Sequence, residues 1–291
     1  MTSFATSIAG SSTFALGGNL NVHRLGYGTM QLPGPGIWGE PRDRGAAIAV
    51  LRRAADLGID LFDTADAYGP FVAENLLREA LHPYDGITIA TKGGFVRTGP
   101  GHGPPYWQPV GRPEYLRQCV EMSLRRLDLE TIDLYQLHRI DPQVPLADQI
   151  GALADMQAEG KIRHIGLSEV GVEQIRAVRD IAPIVSVQNR YNLVDRSAEP
   201  VLEYCDHEGI GFIPWFPLAN RELATPSGPL GMLAAELGAT PTQLALAWLL
   251  RRSPVMLPIP GTSSVAHLEE NVAAIALHLS DEQASRLDEL G

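Results

Sequence analysis

Positive charge is scarce in this chain: 23 Lys and Arg stand against 34 Asp and Glu, a formal net charge of -11 with a pI near 5.2. A field of that sign repels nucleic acid and anionic membrane surfaces, so neither is expected as a partner, and any anionic ligand must be held locally. Cysteine is nearly absent. Cys119 and Cys205 lie far apart in helix-like segments, which argues against a disulfide framework and for reduced core thiols in a cytoplasmic protein. No apolar run reaches about 18 residues, and the opening MTSFATSIAG lacks the basic and apolar regions of a signal peptide, so no membrane span is expected. The eight histidines show no HExxH or other ligand spacing, and no Cys/His cluster occurs, so no metal site is expected. The Gly-rich fingerprint of an open dinucleotide-binding sheet is missing too: after the first strand-like run, LGYGTMQLPGPGIWG leads into a Pro/Gly loop rather than a helix.

What is present is a repeating alternation. At 291 residues and 45% hydrophobic, the chain can bury a large core, and one domain spanning 1–291 is expected, with residues 1–12 disordered. Short apolar runs (HRLGYGT, IDLFDTA, ITIATK, IDLYQLH, IRHIGLS, IVSVQNRYN, GFIPWFP, VMLPIPG) read as buried parallel strands. Segments with helical spacing separate them, several ending in Gly. About eight β-then-α units in succession predict an α/β fold, a closed (β/α)8 TIM barrel. Ahead of it, TFALGGNLNVHRL reads as a β-hairpin closing the barrel's bottom. The stretch GGFVRTGPGHGPPYWQPVGRP reads as a long structureless lid or binding loop.

In such a barrel the chemistry sits at the C-terminal ends of the strands. Asp63, Lys92 and His138 end the second, third and fourth strands, and Tyr68 lies just beyond Asp63. An ammonium beside a phenol lowers the phenol's pKa, a carboxylate keeps the ammonium charged, and an imidazole orients an oxygen. The set suits a proton donor for a carbonyl. Asp66, by contrast, reads as a solvated or capping carboxylate. Taken singly, His138 fits a satisfied core histidine and Lys92 a phosphate-binding or Schiff-base lysine; neither reading accounts for Tyr68.

LFDTADAYG, IATKGG, LHRID and PIPGTSSVAHLEEN together resemble the aldo-keto reductases over nearly the whole chain. The resemblance implies an oxidoreductase carrying hydride from NADPH to an aldehyde or ketone. Tyr68 is then the general acid, Lys92 lowers its pKa, Asp63 pairs with Lys92, and His138 positions the carbonyl oxygen. It assigns Gly28, Thr29, Met30 and Asp63 to the cofactor near the ribose, and Ser168 and Gln188 to the nicotinamide carboxamide. Glu169 departs from the asparagine of many relatives, because a carboxylate accepts from the amide but cannot donate to it. Trp215 takes the place of a stacking aromatic, usually tyrosine, followed by Phe216, Pro217 and Leu218 and by a flexible loop, ANRELATPSGP, over the pyrophosphate. Ile259, Gly261, Thr262 and Ser263 lead to the adenosine phosphate, with Glu270 and Asn271 near the adenine. His267 stands where relatives carry a phosphate-clamping arginine, which makes NADPH affinity pH-dependent.

For substrate, Trp38, Phe95, Tyr106 and Trp107 offer an aromatic wall beside Tyr68 and His138, suited to an apolar or aromatic carbonyl compound. The alternatives are a nicotinamide-sensing regulatory subunit with slow turnover and, more remotely, an aldolase using Lys92 as Schiff base. The oligomeric state is not readable from the sequence.

Overall fold

The computed structural model describes residues 8, 11–219 and 228–290. Most of the segment expected to be disordered, and residues 220–227 of the loop expected over the pyrophosphate, lie outside the described residues.

Seven parallel strands form one curled sheet in the order β11-β10-β9-β8-β5-β4-β3. These are β3 (Tyr27–Gly28), β4 (Leu61–Asp63), β5 (Thr88–Gly93), β8 (Ile132–Leu137), β9 (Ile162–Ser168), β10 (Ser186–Gln188) and β11 (Gly211–Phe212). The expected eighth strand, VMLPIPG, is too proline-interrupted for a regular ladder, yet it closes the ring. Phe212 N–H donates to Val255 O and Leu257 N–H to Phe212 O on one side, and Gly26 N–H donates to Pro258 O on the other. Prolines remove donors, so this segment pairs only where the pattern spares its amides.

Helices α1 (Arg44–Asp56), α2 (Val72–Leu81), α3 (Pro113–Leu127), α4 (Leu146–Ala158), α5 (Val172–Arg179), α6 (Glu199–Glu208), α8 (Pro241–Arg252) and α9 (Val265–Ala273) match the segments with helical spacing. Two further helices, α7 (Pro229–Glu236) and α10 (Asp281–Asp288), were not anticipated. Ser280 and Gln283 form a capping box at the start of α10, a signal the sequence does contain. Cys119 on α3 and Cys205 on α6 are buried free thiols. No described helix is long and apolar enough to cross a membrane.

Inside the sheet, Leu61, Ala90, Leu134, Ile213, Leu257 and Ile259 fill the barrel, as parallel strands covered on both faces require. The hairpin β1 (Thr13–Leu16) and β2 (Leu20–His23) pairs antiparallel from Thr13↔His23 to Leu16↔Leu20 and adds Leu16, Leu20 and Val22 to that interior cluster. Gly17 sits at φ 58°, where a Cβ would fall 2.5 Å from the His164 ring at the start of β9, so the hairpin seats on the strands' N-terminal end. The opposite end is left for the site. There the supposedly structureless loop contains a second hairpin, β6 (Phe95–Arg97) with β7 (Trp107–Pro109).

Candidate active site

Pairing register decides which side chains meet. Asp63 is level with Ala90 on β5, and Lys92 with Gln136 on β8. The chain leaving β4 continues along β5, Thr64 N–H donating to Ala90 O and Asp66 N–H to Lys92 O, before Tyr68 closes a turn onto Ala65 O. His138 is tied to the other side of β5 through its N–H and Gly93 O at 2.9 Å. Asp63, Tyr68, Lys92 and His138 therefore converge, as expected.

Lys92, fully buried, donates from Nζ to Asp63 Oδ1 at 2.6 Å and to Thr64 O at 2.8 Å, with Nζ 5.1 Å from the Tyr68 ring centroid. Burial alone would lower the lysine, but Asp63 and Tyr68 outweigh it and hold the ammonium above its ordinary range. Tyr68 departs from expectation. Burial raises the phenol more than Lys92 lowers it, so Tyr68 rests fully protonated. Burial, then Lys92, Arg139 and Arg97, drive His138 far below its ordinary value. Its imidazole is neutral, stands edge-on to Tyr68 with centroids 5.9 Å apart, and has a buried Nδ1 with no partner among the described residues.

Asp63 Oδ2 accepts from Gln136 Nε2 at 3.1 Å and from Gln188 Nε2 at 2.8 Å. Gln136, a polar residue pointing inward from an apolar strand, is a site residue the sequence reading passed over. So is Arg139, whose Nη1 donates to Ser168 Oγ. Arg97 is a third: it stacks 3.7 Å from the Trp107 ring and 5.5 Å from that of Trp38, and donates to the carbonyls of Gly36, Ile37, Ala67 and Gly99.

Two connected hollows open over this cluster. The larger, about 1200 Å³, is walled by Phe95, Trp107, His138, Arg139 and Ile37; the smaller, about 310 Å³, runs past Gly28, Met30, Asp63, Pro217, Leu218, Ile259, Gly261, Thr262 and Ser263. Tyr68, Gln188, Trp215 and Phe216 line both. Trp38 and Tyr106 line neither. Trp38 lies under Arg97, and the Tyr106 ring covers Gly99 and Gly101 while facing solvent, because the β6–β7 hairpin turns only alternate side chains inward.

Ser168 is buried at the end of β9 and lines the larger hollow, while Thr29 is buried below the rim. Trp215 is half-buried on the rim, not in the core. Glu169, at φ 56°, is committed elsewhere than to a carboxamide: its Oε1 accepts the Trp215 indole N–H and the Arg190 N–H. Glu270 is likewise engaged, accepting from Thr240 Oγ1 at 2.6 Å. Asn271 is buried, and His267 is exposed on the first turn of α9, its N–H on the capping Ser264 Oγ. Asp66 is not solvated: it is 3% exposed, and burial, reinforced by Glu74, pushes its carboxyl up to about 7.

The donor set of the smaller hollow fits a dinucleotide. At one end stand the Trp215 ring and the amide of Gln188; at the other, the Ser263 hydroxyl and the N-terminus of α9 suit a phosphate.

Residues 24–291 match the model of the Aldo/keto reductase family. The chain is 56% identical over 274 residues to an uncharacterized oxidoreductase of Schizosaccharomyces pombe, covering 94% of this chain and 88% of that protein. It is 49% identical over 287 residues to pyridoxine 4-dehydrogenase of Escherichia coli, covering 96% and 98%. The crystal structure of an aldo-keto reductase from Klebsiella pneumoniae in complex with NADPH superposes with a TM-score of 0.82 at 29% identity, covering 96% of this chain and 95% of that one.

Proposed function

The chain belongs to the aldo/keto reductase family and is an NADPH-dependent carbonyl oxidoreductase, and we propose that Asp63, Tyr68, Lys92 and His138 perform its chemistry on aromatic aldehydes. The observation that carries the reading is the junction of the two hollows. Tyr68 faces both, so a proton donor stands where cofactor and substrate meet.

NADPH, when bound, supplies the hydride. Trp215, Gln188 and Ser168 would hold its nicotinamide end, Gly28, Met30 and Pro217–Leu218 its middle, and Gly261–Ser263 with His267 its phosphate end. Tyr68 gives its phenolic proton to the carbonyl oxygen as negative charge develops there. Lys92, 5.1 Å from the ring centroid, stabilises the phenolate left behind, and Asp63 keeps that lysine cationic. Neutral His138 carries one ring N–H and donates it to the same oxygen. Gln136 and Gln188 saturate Asp63 Oδ2, which fixes the carboxylate in place.

Phe95 and Trp107 pack edge-on to each other and to His138, with centroids 4.6–6.2 Å apart, forming an apolar wall suited to a flat ring. The name of the Escherichia coli relative makes pyridoxal and pyridoxine the first pair to assay. The test is loss of reduced-nicotinamide absorbance with a panel of aldehydes and ketones that includes pyridoxal. Turnover confined to aliphatic ketones would refute the aromatic assignment, and none with any carbonyl would refute the reading as a whole.

A further inference from the structure

We infer that Arg139 is a specificity-determining residue of the larger hollow, selecting carbonyl substrates that carry an anionic oxygen substituent; this rests on reading the hollow as the carbonyl-binding site. Arg139 directly follows His138 and lines the same wall. Its Nη1 is used, donating to His138 O at 2.6 Å and to Ser168 Oγ at 2.9 Å. Its Nη2 and Nε have no acceptor among the described residues, and no described carboxylate lies within ion-pair distance. Its guanidinium is 5.7 Å from the Phe95 ring centroid, and that ring is 4.6 Å from the His138 imidazole.

The other cations of the site are spoken for. Lys92 is bound to Asp63, and Arg97 gives its Nη donors to four backbone carbonyls. Arg42, which also borders the hollow, is exposed at its mouth. Glu169 is the carboxylate whose field reaches Arg139, but its Oε1 already serves Trp215 and Arg190. A half-buried guanidinium without a counter-ion is costly, and a bound anion relieves that cost. The overall charge of -11 repels anions at a distance, so an anionic substrate needs such a local cation. The planar fork of arginine matches a carboxylate or phenolate oxygen. A substrate can then present its carbonyl oxygen to Tyr68 and His138 and its second oxygen to Arg139.

The test compares kcat/KM for 2-, 3- and 4-carboxybenzaldehyde with that of their methyl esters, in the native enzyme, Arg139→Lys and Arg139→Met. The native enzyme is expected to favour at least one acid over its ester by about tenfold or more, the scale of one charge-assisted hydrogen bond. Arg139→Met brings that ratio to one or below, and Arg139→Lys restores part of it. If Arg139 only orients Ser168, acids and esters fall together, KM for NADPH rises, and the ratio stays as in the native enzyme; that result overturns the inference. Equal use of acids and esters by the native enzyme also overturns it while leaving carbonyl reduction intact. A native protein that reduces none of these aldehydes, nor pyridoxal, removes the reading of the hollow, and the inference with it.

Discussion

The indole N–H of Trp215 donates to Glu169 Oε1 at 2.5 Å, and the same oxygen accepts the Arg190 N–H at 2.6 Å. Glu169 reaches both from a left-handed backbone, a conformation that costs a residue with a β-carbon on the order of 1 kcal/mol. The Glu169 side chain thus fixes a half-exposed ring where it borders both hollows. Glu169→Ala is expected to free the indole and weaken NADPH binding about fivefold, and Trp215→Ala to cost about 1 kcal/mol of binding. Because the two residues act as one unit, the double variant should lose little more than either alone. Fluorescence titration with NADPH measures all three, and fully additive losses would separate the ring from the carboxylate.

Tyr68→Phe removes the proton but keeps the ring, so kcat should drop by roughly 10²-fold or more while Kd for NADPH stays within about twofold. Lys92→Met strikes the same step and also leaves Asp63 as an uncompensated buried charge, which should cost about 3–5 kcal/mol of stability. Single-turnover kinetics and chemical denaturation read the two effects separately; unchanged turnover in Tyr68→Phe would take the tyrosine out of the mechanism.

Asp66 makes stability depend on pH. Burial and then Glu74 raise its folded value to about 7, while Glu74 itself is paired with Arg126 at 2.5 Å and Thr91 at 2.7 Å. The unfolded carboxyl titrates near ~4. Its contribution is therefore fully present below about pH 4 and is lost as pH rises through about 7. Asp66→Asn imitates the neutral carboxyl, so its Tm should gain on that of the native protein as pH rises from about 4 to about 7 and keep a constant lead above that. Calorimetric Tm curves that run parallel across this range would contradict the assignment.

His267 lines neither hollow but is exposed on the first turn of α9, four residues beyond the Ser263 that borders the smaller one, and its role at the phosphate is a proposal. His267→Ala should weaken NADPH binding severalfold and leave NADH binding unchanged. Unchanged binding of both cofactors would leave the side chain in solvent, and equal losses for both would deny it a role at the 2′-phosphate.

The alternation of strands and helices, the Gly17–Gly18 hairpin, and Asp63, Lys92 and His138 at strand ends with Tyr68 just beyond are all legible in the sequence, because periodicity, turn chemistry and strand-end position are local properties. Register and desolvation are not local. Only the pairing of β5 with β8 brings Gln136 into the Asp63 network, and only the chain's path after β8 leaves Arg139 beside His138 with donors to spare. The pleat of β6–β7 sends Trp107 inward, while Tyr106 faces solvent, a choice that two adjacent aromatics in a sequence do not reveal. Burial likewise reverses two local expectations. Asp66, which reads as solvated, is buried and its carboxyl is pushed up to about 7, and Tyr68 is raised despite the lysine beside it. The sequence by itself determines which groups stand near the rim; the closed barrel determines which of them meet, which are dry, and which charges remain unpaired, because those depend on residues that approach only across the sheet.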